Sequence, residues 1–153
     1  MLTKPQYGWS DFSLNGTSVY GLSYLTDVAF EWVGQTIHGL ETLHPFCVKG
    51  SLEPDRMLCM VSYWSCYITV ESETEKPYTE ERMVQEYSHT SMIDFCRSLY
   101  ADISGSMDEW VSFVDYLEED LEEKRGRLAE KLERLKELIS EQEKYFGPNY
   151  WLN

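Results

Sequence analysis

A chain of 153 residues has room for one domain with a real core, and its 42% apolar and 14% aromatic content is that of a folded protein rather than a disordered one. Its formal net charge of −14 excludes direct nucleic-acid binding as an expectation, because a chain repelled by phosphate lacks the counterion-release contribution that supplies most such affinity. No apolar run approaches the roughly 18 residues of a membrane span, and Met1 to Trp9, with Lys4, Pro5 and Gly8, lacks the apolar core of a secretory signal, so a cytoplasmic location is expected.

Trp9 to Leu14 alternates apolar with polar residues and runs into Asn15-Gly16, a pair that accepts the positive φ angles of a type I′ hairpin turn; Thr17 to Leu25 is expected to return as the second strand. Asn15-Gly16-Thr17 also fits a glycosylation sequon, a chance match in a chain without an export signal. From Thr26 the period changes. Phe30, Val33, Ile37 and Leu40 form a helical stripe, Thr26 is placed to cap it with Asp27 beside the exposed N–H groups, and Pro45 ends it. Gly34 and Gly39 weaken such a helix unless they let a neighbouring strand approach.

Phe46 to Leu52 reads as a strand and Glu53 to Arg56 as the turn after it. Met57 to Val70 is the most apolar part of the chain and longer than one ordinary strand. It divides near Ser62 to Ser65 into a central strand, Met57 to Ser62, and its hairpin partner, Cys66 to Glu71, with one long bent strand as the alternative. Glu71 to Glu81 is acidic, holds Pro77 and reads as a loop; Arg82 to Tyr87 is a candidate last strand. Ser91 opens a second helix with Asp94 three residues on, Met92, Phe95, Cys96, Leu99, Tyr100 and Ile103 face its core, and Gly105 stops it.

Ser106 and Glu109 form a capping box ahead of a third helical pattern, from Ser106 to Tyr145, that would be about 58 Å long as one rod. Its seam runs through Trp110, Val114, Leu117 and Leu121, shifts at Lys124 to Arg127, and resumes at Leu128, Leu132, Leu135 and Ile139. A rod of that length outreaches a domain of this size. Leu128, Leu132, Leu135 and Ile139 are therefore expected to form a homodimer interface, with a helical hairpin broken at Gly126 as the alternative. The expected architecture is α+β: an antiparallel sheet of about five or six strands, helices on one face, and a long C-terminal helix. A single domain over 1–123 would carry a helical extension and aromatic tail over 124–153.

Tyr7-Gly8-Trp9, Ser23 to Val28 and Asp108-Glu109-Trp110 resemble marks of a group of small acidic uncharacterised bacterial and phage proteins. The resemblance covers roughly residues 7 to 114 and implies a bacterial or phage origin; it brings no function with it.

Motifs for chemistry are few. No glycine-rich phosphate loop or GxSxG elbow is present, and His38, His44 and His89 are too few for a histidine metal site. Cys47, Cys59, Cys66 and Cys96 lie in apolar surroundings without CxxC spacing and read as buried, reduced thiols, with a zinc or disulfide set as the alternative. Cys47 with His44 or His89 is the one nucleophile–base pairing available. Glu118, Glu119, Asp120, Glu122 and Glu123 read as a solvated helix face too straight to wrap calcium. The aromatic surplus is the stronger signal: Tyr63, Trp64, Tyr67, Tyr87, Tyr100 and the terminal Tyr150-Trp151 pack in the core or serve as interface anchors.

These observations lead to an expected non-catalytic acidic interaction protein, of inhibitor or immunity type, that binds a basic protein partner without cofactor or metal. Glu118, Glu119, Asp120, Glu122, Glu123 and Trp151 are its candidate contacts. The alternatives are an assembly protein that oligomerises through its C-terminal coiled coil, and a small cysteine-dependent enzyme.

Overall fold

The computed structural model of the protein describes residues 1–72, 84–115 and 119–147. Over these the fold is α+β, with a two-stranded and a four-stranded antiparallel sheet and four helices around one hydrophobic core. Strand β1 (Trp9–Phe12) pairs with β2 (Tyr20–Ser23), with Phe12 opposite Tyr20. Asn15-Gly16 is therefore not a two-residue hairpin turn; it sits in a longer loop in which Thr17 returns its N–H to Leu14 O and takes Leu14 N–H on its hydroxyl. The two-residue turn with both central φ angles positive lies earlier, at Tyr7 (φ 52) and Gly8 (φ 78), where Gln6 and Trp9 exchange both backbone hydrogen bonds. Tyrosine disfavours that backbone region, so propensity gives no hint of it.

The larger sheet has the order β3-β4-β5-β6, formed by β3 (Phe46–Ser51), β4 (Arg56–Val61), β5 (Cys66–Glu71) and β6 (Val84–Ser88). The apolar run divides where expected, with Ser62 N–H bonded to Ser65 O across the turn. Strict alternation sends Phe46, Val48, Met57, Cys59, Val61, Cys66, Ile68 and Val70 inward. The expected loop over 71–81 and the start of the expected last strand fall largely outside the described residues.

Helix α1 (Val28–Thr42) is capped by Asp27 rather than Thr26, whereas α2 (Met92–Ser104) is capped by Ser91, whose Oγ accepts from Asp94 N–H at 3.2 Å. Gly39 is the glycine that permits close approach: a Cβ there would lie 2.2 Å from Phe46 Cδ1, while Gly34 has open space. Helix α1 also closes one edge of the sheet, because the Trp32 indole N–H donates to Lys49 O at 2.8 Å.

The C-terminal third departs most from expectation. It is not one rod, for α3 (Met107–Val111) ends at Ser112 and α4 (Leu121–Gln142) starts afresh. Ser106 makes no capping bond; Asp120 does, accepting from Glu122 and Glu123 N–H at 2.9 and 3.1 Å. The stripe of α4 packs on α1 and α2, which buries Leu128, Leu132, Leu135 and Leu138, and Ile139 is partly buried against the same core. The premise for a homodimer through Leu128, Leu132, Leu135 and Ile139 is thus removed, since the apolar stripe is satisfied within the chain. Nor is α4 an extension beyond residue 123: it is part of the single core. Gly126 lies within the helix and breaks nothing.

Lys124 pins the start of α4 to the start of α1. Its side chain is buried, with Nζ 3.0 Å from Glu119 Oε2, 3.4 Å from Asp27 Oδ2 and 5.5 Å from the centre of the Phe30 ring. A second clamp holds the β1–β2 hairpin to β6. The Tyr20 hydroxyl donates to Glu86, whose carboxylate also accepts from Ser18 N–H. The Tyr20 bond holds the Glu86 carboxyl below the ordinary carboxylate range, and burial, with Glu86 beside it, raises Tyr20 well above the ordinary phenol value. The signs oppose. The Glu86 contribution is present above about pH 4.3 and is lost as pH falls through its lowered folded value; the Tyr20 contribution is present below about pH 10 and is lost as pH rises beyond it. Tyr20→Phe is expected to flatten both flanks of the stability–pH curve, as urea melts would record; flanks identical to wild type would show that the clamp contributes nothing.

Candidate protein-docking face

One face of the four-stranded sheet takes the core, and the other is covered by none of the described helices. Alternation places Cys47, Lys49 and Ser51 of β3, Arg56, Leu58 and Met60 of β4, Tyr67, Thr69 and Glu71 of β5, and Gln85 and Tyr87 of β6 on that outer face. The register aligns them. Cys47 is opposite Met60, Met60 opposite Tyr67, and Tyr67 opposite Tyr87, so a single apolar row crosses all four strands. Met60 is 52% exposed, Tyr67 50% and Tyr87 46%.

The row is ordered by contacts among its own rings. Tyr67 and Tyr87 meet edge to face with centroids 5.2 Å apart, and Tyr87 continues to His89 at 4.7 Å, its hydroxyl 3.0 Å from Nδ1. At the β4–β5 turn, Tyr63 donates its hydroxyl to Leu43 O, and Trp64 packs edge-on against Phe146 at 5.5 Å. Holding rings in place in advance lowers the entropy lost when a partner covers them. Beside the row, a groove of about 460 Å³ runs between α1 and β3, lined by Glu31, Trp32, Gln35, Cys47, Lys49 and Leu58 among others.

Charge is thin on this face. Among the described residues its charged groups are Lys49 and the Arg56–Glu71 pair, joined at 2.8 Å, on a chain whose net charge is −14. Depletion of charge together with enrichment in tyrosine, tryptophan and methionine is the composition of an interface centre. Exposed carboxylates such as Glu31 and Glu53 stand at its margins.

Two of the acidic residues expected to touch a partner, Glu119 and Asp120, are engaged within the chain. Glu119 is held by Lys124 and lies 3.7 Å from Arg127, and the Lys124 ammonium draws its carboxyl below the ordinary range. Asp120 is occupied as the cap of α4. Glu122 and Glu123 are exposed in the first helical turn, where they complement the helix dipole. Glu118 and Trp151 lie outside the described residues.

Nor are Cys47 and a histidine brought together. Among the described residues no hydrogen bond joins Cys47 to His44 or His89; its Sγ lies 3.6 Å from Val48 O, and partial desolvation of the sulfur raises the thiol pKa, which disfavours the thiolate. Contrary to the expectation for all four cysteines, Cys47 is exposed, while Cys59, Cys66 and Cys96 are buried and free. Among the described residues no cluster of three metal-ligating side chains occurs and no helix is long and apolar enough to cross a membrane.

No protein family, characterised protein or solved structure matches this chain.

The sequence alone singles out Tyr63, Trp64, Tyr67 and Tyr87, but neither their alignment nor Met60. Tyr100, grouped with them, packs against the core. Parity along β5, with Tyr67 out and Ile68 in, was readable in advance. The cross-strand register that lines Tyr67 up with Met60 and Tyr87 was not.

Proposed function

We propose that the protein is a non-catalytic acidic interaction protein of the inhibitor or immunity type, and that it binds a basic protein partner through the outer face of β3 to β6. The observation that carries this reading is the exposed apolar row from Cys47 to Tyr87, on a face with few charged groups among the described residues. Such a surface supplies the desolvated centre of an interface, and the acidic remainder of the molecule steers a basic partner toward it. The assembly alternative has lost its support, because the α4 stripe it needs is buried in the core.

The test is titration calorimetry against the partner recovered from the native host. Tyr67→Ala is expected to weaken binding by about 2 kcal/mol or more, roughly thirtyfold, as for a central aromatic anchor, and added salt is expected to weaken binding as well. Wild-type affinity in Tyr67→Ala and Met60→Ala would remove the face from the reading. Binding indifferent to salt would remove the basic partner.

A further inference from the structure

The two edges of the four-stranded sheet differ. At β3 the Lys49 carbonyl points away from β4 to reach the Trp32 indole, which makes Lys49 opposite Leu58 a pair that exchanges no hydrogen bonds. Antiparallel ladders alternate, so Leu58 bonds across to Thr69, and Thr69 opposite Gln85 is again a non-bonded pair. On β6, therefore, Val84, Glu86 and Ser88 bond to β5, while Gln85 and Tyr87 aim their N–H and C=O groups outward. Among the described residues no hydrogen bond reaches those four backbone groups. Strand β6 contains no proline, lysine or bulge, the usual guards of a free edge, and its register with β5 is unbroken from Val84 to Ser88.

We propose that β6 pairs antiparallel with β6 of a second copy of this chain, about a twofold axis at Tyr87, to give a continuous eight-stranded sheet. The register follows from side chains. Tyr87 opposite its own copy prolongs the Cys47–Met60–Tyr67–Tyr87 row in a straight line into the second molecule, and it sets Glu86 opposite Ser88 and Gln85 opposite His89. The neighbouring register, with the axis at Glu86, would place two carboxylates face to face and break the alignment. The row is thus self-complementary at its Tyr87 end, which an unrelated extended peptide would not be. This pairing leaves the outer face open and doubles its length, so it extends the proposed function without depending on it.

Sedimentation and amide exchange test it on the full chain. Wild type is expected to sediment as a dimer, more so at high salt, because two chains of charge −14 repel. That sign is opposite to the salt response expected for the basic partner, so the two readings fail separately. The Gln85 and Tyr87 amides are expected to exchange at least about tenfold more slowly in concentrated than in dilute solution. Gln85→Pro removes an N–H that β5 does not use, so the sheet should survive while the dimer is lost; Tyr87→Lys, which puts like charges on the axis, should give the same monomer. A wild-type chain that stays monomeric at high salt and concentration would overturn the proposal, as would a dimer that both folded variants retain.

Discussion

Leu135→Ala is expected to lower the unfolding free energy by about 2–5 kcal/mol, the range for deleting a fully buried leucine that leaves a cavity behind, while the association state stays that of wild type. Leu135 is wholly buried and belongs to the stripe by which α4 packs on α1 and α2. If the stripe were an interface between two copies, the same substitution would chiefly shift mass toward monomer. A urea melt paired with sedimentation of the same variant separates these outcomes. A mild loss of stability together with a loss of mass would reinstate the helical interface and overturn the single-core description.

The reason this stripe misleads in sequence is physical. An amphipathic helix has the same apolar spacing whether its partner is another copy or two helices of its own chain, and periodicity is blind to which. What separates the cases is the break between α3 and α4, where the better cap, Asp120, has no apolar run before it to advertise it, while the Ser106–Glu109 capping box attracts attention and goes unused. Strands fared better. The alternation around Phe46 to Ser51 and Cys66 to Glu71 records a sheet with one face in the core, so their bounds and parity were legible to within a residue. The docking face was half legible for the same reason: each strand announces its outward residues, but only pairing brings Met60, Tyr67 and Tyr87 into one row. Local hydrogen bonds are legible only in part: the Ser91 cap of α2 can be read from sequence, whereas the positive-φ turn at Tyr7-Gly8 and the Tyr20–Glu86 clamp cannot.

Trp32 carries the second large effect. Its ring is fully buried, meets Phe12 edge-on at 5.1 Å and stacks on Phe95 at 6.1 Å, while Phe95 in turn meets Phe46 at 5.9 Å. One side chain on α1 thus joins β1, α2 and, through its indole N–H, the edge of β3. Trp32→Ala should cost about 3–5 kcal/mol, because a large ring is lost where four elements converge. Trp32→Phe keeps much of the ring contact and removes the bond to Lys49 O. Lys49 is exposed along the groove beside the docking face, so water can reach the freed carbonyl, and the cost should fall near the ordinary value for one hydrogen bond, about 1 kcal/mol. The pair of variants also probes edge protection. In Trp32→Ala the β3 edge loses the cover of the indole ring, so aggregation during refolding should exceed that of Trp32→Phe, measured by light scattering at matched folded fraction. Equal stability losses in the two variants would assign the effect to the hydrogen bond rather than to packing, and equal scattering would mean that α1 shields β3 without the indole.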